Sequence, residues 1–153
     1  TVYFPHDGVI SLMTLMENGA AIENATIGRE GALGLPAAAA PRVSLCRAVA
    51  QTPCRCSRIG AGALHEVWKR SPRFQELTDR HAEALFGHAI QSVACNALHS
   101  VEARFCRWLL TCHDRISTDT VALTQEFLAD MLGVQRTTVT AAARTLQDKG
   151  FIR

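Results

Sequence analysis

Arg136 heads a stretch, Gln135-Arg-Thr-Thr-Val-Thr140, whose side chains suit the edge of a nucleic-acid duplex. A guanidinium offers paired N–H donors that match O6 and N7 of a guanine, a pairing worth roughly 1–3 kcal/mol against a wrong base. Thr137, Thr138 and Thr140 add hydroxyls for phosphate oxygens and methyls for a thymine methyl. Thr124 and Gln125, further upstream, are candidate phosphate clamps that would set register without reading sequence. Arg144 and Lys149 lie farther along, where attraction to the backbone is the natural role. The plainer alternative for Arg136 is a phosphate contact or a solvated surface residue. For each threonine it is an ordinary place on a helix surface.

Such chemistry needs two rigid helices at a fixed angle. Phe127, Leu128, Met131 and Leu132 form one face of a short helix. Gly133-Val134 interrupts it, and Val139, Ala142, Ala143 and Leu146 predict a second helix with its apolar side inward. Lys149-Gly150 closes that helix before Phe151-Ile152. Two helices joined by a tight turn containing Gly read as a helix-turn-helix, whose second helix can enter a major groove.

Residues up to about 60 lack helical periodicity. Tyr3-Phe4, Val9–Met16 and Ala21–Ile27 predict strands, with Asp7-Gly8 and Glu17-Asn-Gly19 as turns. Gly28–Gly34 is a Gly-punctuated loop and Pro36–Pro41 a spacer. Arg42–Ala50 and Cys54–Ile59 are two more strand candidates. Short strands with frequent turns suggest an antiparallel sandwich or barrel.

Near Gly60 the pattern changes. Ala63–Trp68 predicts a short helix ended by Ser71-Pro72. From Arg73 to about His99, Phe74, Leu77, His81, Ala84, His88, Gln91, Cys95 and Leu98 recur at alternating steps of three and four. A helix of that length spans roughly 40 Å. Its seam either crosses a dimer interface, where polar positions meet their symmetry mates, or packs on the chain's own sheet. Ser100 predicts an N-cap with Glu102 in the first turn, and Val101, Phe105, Trp108, Leu109 and Cys112 a buried stripe. Ser117–Val121 reads as a short strand, and Thr124 as the cap of the first motif helix.

Composition narrows the classes. The 153 residues carry 16 Lys+Arg and 14 Asp+Glu, an ordinary balance for a globular chain. From Ser100 to Arg153 there are seven Lys+Arg against six Asp+Glu, so any positive face must come from folding rather than from a basic block. No run of eighteen apolar residues and no secretory start appear, so no membrane partner is expected and the cytoplasm is the default location. Both ends fall inside patterned stretches, and a fragment of a longer chain is expected. The six cysteines fit no zinc spacing, Cys54-x-Cys56 being too tight, so buried free thiols and no metal site are expected. No nucleophile elbow, phosphate loop or His-Glu-x-x-His string is present, which argues against an enzyme.

In this order the elements resemble the CRP/FNR family of bacterial transcription regulators, over essentially the whole chain. The most specific part is Thr124…Leu128-Ala129…Leu132-Gly133-Val134…Thr138-Val139…Leu146…Gly150-Phe151-Ile152. The resemblance implies an α+β protein with three parts: a jelly-roll-like antiparallel β-roll of the cyclic-nucleotide-binding type over 1–72, a dimerisation helix over 73–99, and a winged helix-turn-helix over 100–153. It implies a homodimer on an inverted repeat of double-stranded DNA, with RNA polymerase as a further partner. In the family a Ser or Thr usually caps the recognition helix, and the next exposed positions are often Glu and Arg. Here they are Gln135, Thr137 and Ala141, so a weaker helix start and a different half-site are expected.

The family's phosphate-binding cassette, Gly-Glu-x-x-Leu then Pro-Arg-x-Ala, corresponds to Gly31-Ala32-Leu33-Gly34-Leu35 and Pro41-Arg42-Val43-Ser44. Gly31, Leu33, Gly34, Arg42 and Ser44 are therefore the effector-site candidates the resemblance supplies. Position 32 is Ala, so the carboxylate that accepts from the ribose hydroxyl is gone. Losing a charge-assisted hydrogen bond costs roughly 1.5–3 kcal/mol. That argues against ordinary cyclic-AMP binding, and no cofactor is expected. The rival reading is a ligand-sensing or protein-interaction module whose helix-turn-helix serves only for packing.

Overall fold

The computed structural model describes residues 1–39, 43–116 and 118–153. Five strands come first: β1 (Val2–Pro5), β2 (Ile10–Leu15), β3 (Ala21–Ile27), β4 (Arg47–Ala50) and β5 (Cys56–Ile59). A one-turn helix, α1 (Pro36–Ala39), lies between β3 and β4. Then follow α2 (Ala61–Arg70), α3 (Pro72–Leu98), α4 (Val101–His113), α5 (Gln125–Leu132) and α6 (Arg136–Asp148).

All strand pairing among the described residues is antiparallel. One sheet has the order β3-β2-β4 and the other pairs β1 with β5. Val9, Ser11 and Met13 alternate along one buried face of the β2 stretch and Ile10 is buried on the other, while a bulge leaves Asn24 of β3 unmatched opposite the Leu12–Met13 step. The strand expected over Arg42–Ala50 is only Arg47–Ala50 among the described residues, and the Pro36 spacer contains α1. Residues 118–121 form no strand, and Ser117 lies outside the described residues. The Thr118 hydroxyl instead donates to the Thr120 carbonyl at 3.0 Å, closing a local turn that a ladder would have to break.

Helix boundaries follow their caps. Ser71 accepts from the Phe74 N–H at 3.2 Å with Pro72 at the first helical position of α3. Ser100 accepts from the Ala103 N–H at 3.3 Å and opens α4. The backbone N–H of Glu102, and then the Ser100 hydroxyl, hold the Glu102 carboxyl below its usual range.

The seam read along α3 divides: Phe74, His81, His88 and Cys95 face the chain's own interior, whereas Leu77, Ala84, Gln91 and Leu98 are exposed. Phe74 packs on the core formed by Val2, Ala32, Leu35 and Leu64. His81 donates from Nε2 to the Ala32 carbonyl at 3.1 Å, and Cys95 is buried. The inward positions, His81 and His88 among them, follow the packing alternative, while the other seam positions stay on the outer side of α3. A different stripe, Phe86, Ile90 and Val93, is 69%, 54% and 70% exposed. Both stripes obey the same alternation, so spacing alone does not separate them.

The expectation of six buried thiols also fails. Cys95 and Cys112 are buried, Cys46, Cys54 and Cys106 are half-buried, and Cys56 is exposed.

One core joins the sheet to the helix-turn-helix. Val9 and Met13 share it with Phe105, Trp108, Cys112, Leu128, Met131, Val139, Ala142 and Leu146. Polar groups line the seam. Trp108 Nε1–H donates to Glu23 Oε2 at 3.2 Å, and the Ser11 hydroxyl donates to the same oxygen. Gln51 Nε2 donates to Ser11 Oγ and reaches Met131 Sδ at 3.1 Å.

Burial raises the Glu23 carboxyl above its ordinary 4.5, outweighing the hydrogen bonds from Ser11 and Trp108 and the charges of Arg107 and Arg115. A raised folded-state value means this group favours folding most below 4.5, and the contribution is lost as pH climbs through the raised value. Glu23→Gln keeps an acceptor for Trp108 and cannot ionise. The wild type should therefore lose Tm relative to Glu23→Gln as pH rises from 4.5 towards neutrality. A Tm difference independent of pH would refute this.

Candidate nucleic-acid interface

The motif begins at Thr124, whose hydroxyl accepts from the Phe127 N–H at 3.2 Å. It therefore acts as the expected N-cap of α5. At the other end, Gly133 takes φ 62° and ψ 39°. Its N–H donates to the Asp130 carbonyl at 3.2 Å and the Val134 N–H to the Ala129 carbonyl at 3.0 Å. This double closure needs a left-handed residue, and Gly meets it without a Cβ penalty. A Cβ there would also sit 3.1 Å from Ile22 Cδ1, because the turn abuts β3. Buried Arg104 donates to the Leu132 carbonyl, tying α4 to the end of α5. Sequence reasoning misses Arg104, since an arginine inside an apolar stripe reads as a surface residue until its carbonyl partner is known.

From Gly133 the chain turns into α6. Gln135 has extended backbone angles and forms no side-chain cap, as the missing Ser or Thr implied. The first N–H groups of α6 are thus not claimed by a cap side chain, the condition under which a helix start attracts phosphate. Val139, Ala142 and Leu146 are buried, so at 3.6 residues per turn the opposite side centres on Thr137, Ala141 and Arg144. Arg136, Thr137, Thr138, Ala141 and Arg144 are all exposed. No ion pair engages Arg136 or Arg144 among the described residues.

Thr140 differs. It is half-buried, and its hydroxyl donates to Gln125 Oε1 at 2.8 Å and lies 3.0 Å from the Arg136 carbonyl. Gln125 and Thr140 therefore brace the two motif helices against each other. Of the eight DNA-site candidates, Thr124, Gln125, Gln135, Arg136, Thr137, Thr138, Thr140 and Arg144 all fall on these two helix starts and the outward side of α6.

The effector candidates are not gathered. Leu33 bridges to Tyr3, Gly34 adjoins the Thr1 carbonyl, and Ser44 is exposed with its hydroxyl donating to the Cys46 carbonyl at 2.6 Å. Arg42 lies outside the described residues. Among the described candidates, Gly31 borders a cavity of about 460 Å³ between β3 and α3. A Cβ on Gly31 would lie 2.7 Å from His81 Cε1. Thr26, Glu30, Arg80, His81, His88 and Arg115 supply the polar lining. The Thr26 hydroxyl is buried without a hydrogen-bond partner among the described residues.

Burial, with Arg107 and Arg115 nearby, pushes His88 below its usual value. For Glu30, burial would raise the carboxyl. The backbone N–H groups of Glu30 and Gly28 and the Arg115 guanidinium, donating from Nε at 2.8 Å, bring it lower instead. His81 and His88, one heptad apart on α3, are the sequence signal for this cavity, although their spacing reads equally well as an interface seam.

Residues 103–153 match the family of Crp-like helix-turn-helix domains. No curated protein matches the chain. Among solved structures, FixK2 of Bradyrhizobium japonicum aligns with a TM-score of 0.81 at 18% identity, over 97% of this chain and 75% of its own. A CRP/FNR-family transcriptional regulator of Thermus thermophilus aligns at 0.77 with 19% identity, over 99% and 77%. The c-di-GMP responsive global regulator CLP of Xanthomonas campestris aligns at 0.68 with 18% identity, over 97% and 78%. Residues 103–153 thus resemble a Crp-like helix-turn-helix domain, and the chain as a whole shares the fold of solved CRP/FNR-family transcriptional regulators.

Proposed function

We propose that the protein is a sequence-specific DNA-binding regulator of transcription, acting as a homodimer on an inverted repeat. The observation that carries this reading is the division of α6. Val139, Ala142 and Leu146 fix it to the core, while Arg136, Thr137, Thr138 and Arg144 stand free on the outside. A helix held on one side and polar on the other fits the major groove, with its first turn towards base edges. Arg136 reads a guanine, Thr137 and Thr138 contact a thymine methyl or phosphate, and Arg144 pairs with the backbone.

The second copy joins along Phe86, Ile90 and Val93 of α3. Their steps of four and three suit a helix pair, and such a patch is costly to leave in water. The cavity between β3 and α3 is the effector site, and its polar lining is not the cyclic-nucleotide cassette. RNA polymerase is the downstream partner that the family fold suggests.

Three measurements test these assignments. In binding assays across salt concentrations, Arg136→Ala should relax specificity at one base pair of each half-site by roughly 1–3 kcal/mol. Arg144→Ala should instead weaken binding on every sequence and lower the salt slope by about one. Equal losses on all sequences from both variants would refute base reading by Arg136. Ile90→Glu should convert the dimer to a monomer in sedimentation while the fold persists, and an unchanged dimer would move the interface elsewhere. Saturating cyclic AMP or cyclic GMP should leave Tm where it is, and a clear rise would restore the nucleotide assignment.

A further inference from the structure

We propose that Cys54 and Cys56 form a redox-active dithiol that a hydroperoxide closes to a disulfide, an oxidant-responsive site on the sheet half of the molecule. The two residues flank Arg55 where the chain enters β5, and their Sγ atoms lie 3.4 Å apart. Alternate residues of extended chain project to the same side, so an x between two cysteines brings their sulfurs together. Cys56 is exposed and Cys54 half-buried, whereas Cys95 and Cys112 are enclosed by their helices. Cys46 and Cys106 are half-buried like Cys54, so an oxidant in solvent reaches Cys56 most readily.

The turn that presents the sulfurs is anchored. The Asp7 carboxylate accepts from the Arg55 backbone N–H at 2.8 Å and from Arg55 Nε at 2.7 Å. Cys54 Sγ–H donates to the Asp7 carbonyl at 2.9 Å, and the Val9 N–H donates to Thr52 Oγ1 at 3.0 Å. Cys54 and Arg55 also line a cleft shared with Asp114, Ile116 and Thr120, in the segment that leads to α5. Bridging removes the Cys54 donor from Asp7 and so alters the wall of that cleft.

The chemistry assigns a role to each sulfur. Burial, then the hydrogen bond and charge of Cys56, push the Cys54 thiol up to about 12, so it holds its proton and Cys56 attacks. The Cys56 thiolate displaces hydroxide from hydrogen peroxide, breaking the O–O bond and leaving a sulfenic acid. With the Cys56 charge gone, the Cys54 thiol is more acidic than before. It gives its proton to water, attacks the Cys56 sulfur and expels hydroxide, forming the S–S bond. In total, two thiols and one peroxide become one disulfide and two waters, and the peroxide takes up both electrons. An exposed bridge of this kind is labile to thiols, so the change is reversible.

The reduced full chain, treated with hydrogen peroxide, alkylated and digested with trypsin, tests this. Trypsin cuts after Arg55, between the two cysteines, so a bridge joins peptide 48–55 to peptide 56–58. The linked pair should be the first oxidation product, and dithiothreitol should separate it. In Cys54→Ser, peroxide should leave Cys56 as a sulfenic acid that dimedone traps. Recovery of Cys54 and Cys56 as free thiols while other cysteines oxidise would overturn the proposal. So would their passage to sulfinic acid with no linked peptide, or a Cys54→Ser variant that yields no dimedone adduct at Cys56.

Discussion

Burial of Val139 and Leu146 in the shared core is the contact on which the rest of the molecule depends. Helix α6 mixes strong helix formers, Ala141, Ala142 and Ala143 among them, with weak ones. Thr137, Thr138, Val139, Thr140 and Thr145 are β-branched, and each costs up to roughly 0.7 kcal/mol relative to Ala. Each fully buried Val or Leu side chain contributes roughly 1.5–3 kcal/mol. The core therefore wins, and it sets the orientation of the helix as well as its existence. With that side fixed inward, Arg136 and Arg144 have nowhere to point except outward. The Gln125–Thr140 bond then braces the angle between α5 and α6.

The same core reaches into the sheet through Val9 and Met13, and polar links run beside it. Trp108 meets Glu23, Gln51 meets Met131, and Arg115 meets Glu30. The turn at Gly133 lies against Ile22. The sheet, α3 and the helix-turn-helix thus form one connected body, and Arg115, just past α4, lines the β3–α3 cavity and pairs there with Glu30. Moving α4 relative to the sheet would require parting the Glu23–Trp108 and Glu30–Arg115 links together.

Much of this is legible in the residues. The 3.6-residue period, the caps at Ser100 and Thr124 and the turn at Gly133 are local signals, and the helix-turn-helix follows from them. The two stripes on α3 are not separable by sequence, because both keep the same steps and only the fold decides which one meets the sheet. Histidines at His81 and His88 look like interface polar groups and instead line a cavity. Glu23 is invisible as a buried acid because its partners, Ser11 and Trp108, are distant in sequence. Cys54 and Cys56 are too close in sequence for zinc. The same closeness is what a dithiol needs, and only the fold settles their exposure.

Selection of bound duplexes from a random DNA pool by the intact protein tests the central claim most directly. The account predicts enrichment of a two-fold symmetric sequence whose half-site centres lie about 34 Å apart, one turn of the double helix. A pool that stays unenriched after repeated rounds at moderate salt would contradict it.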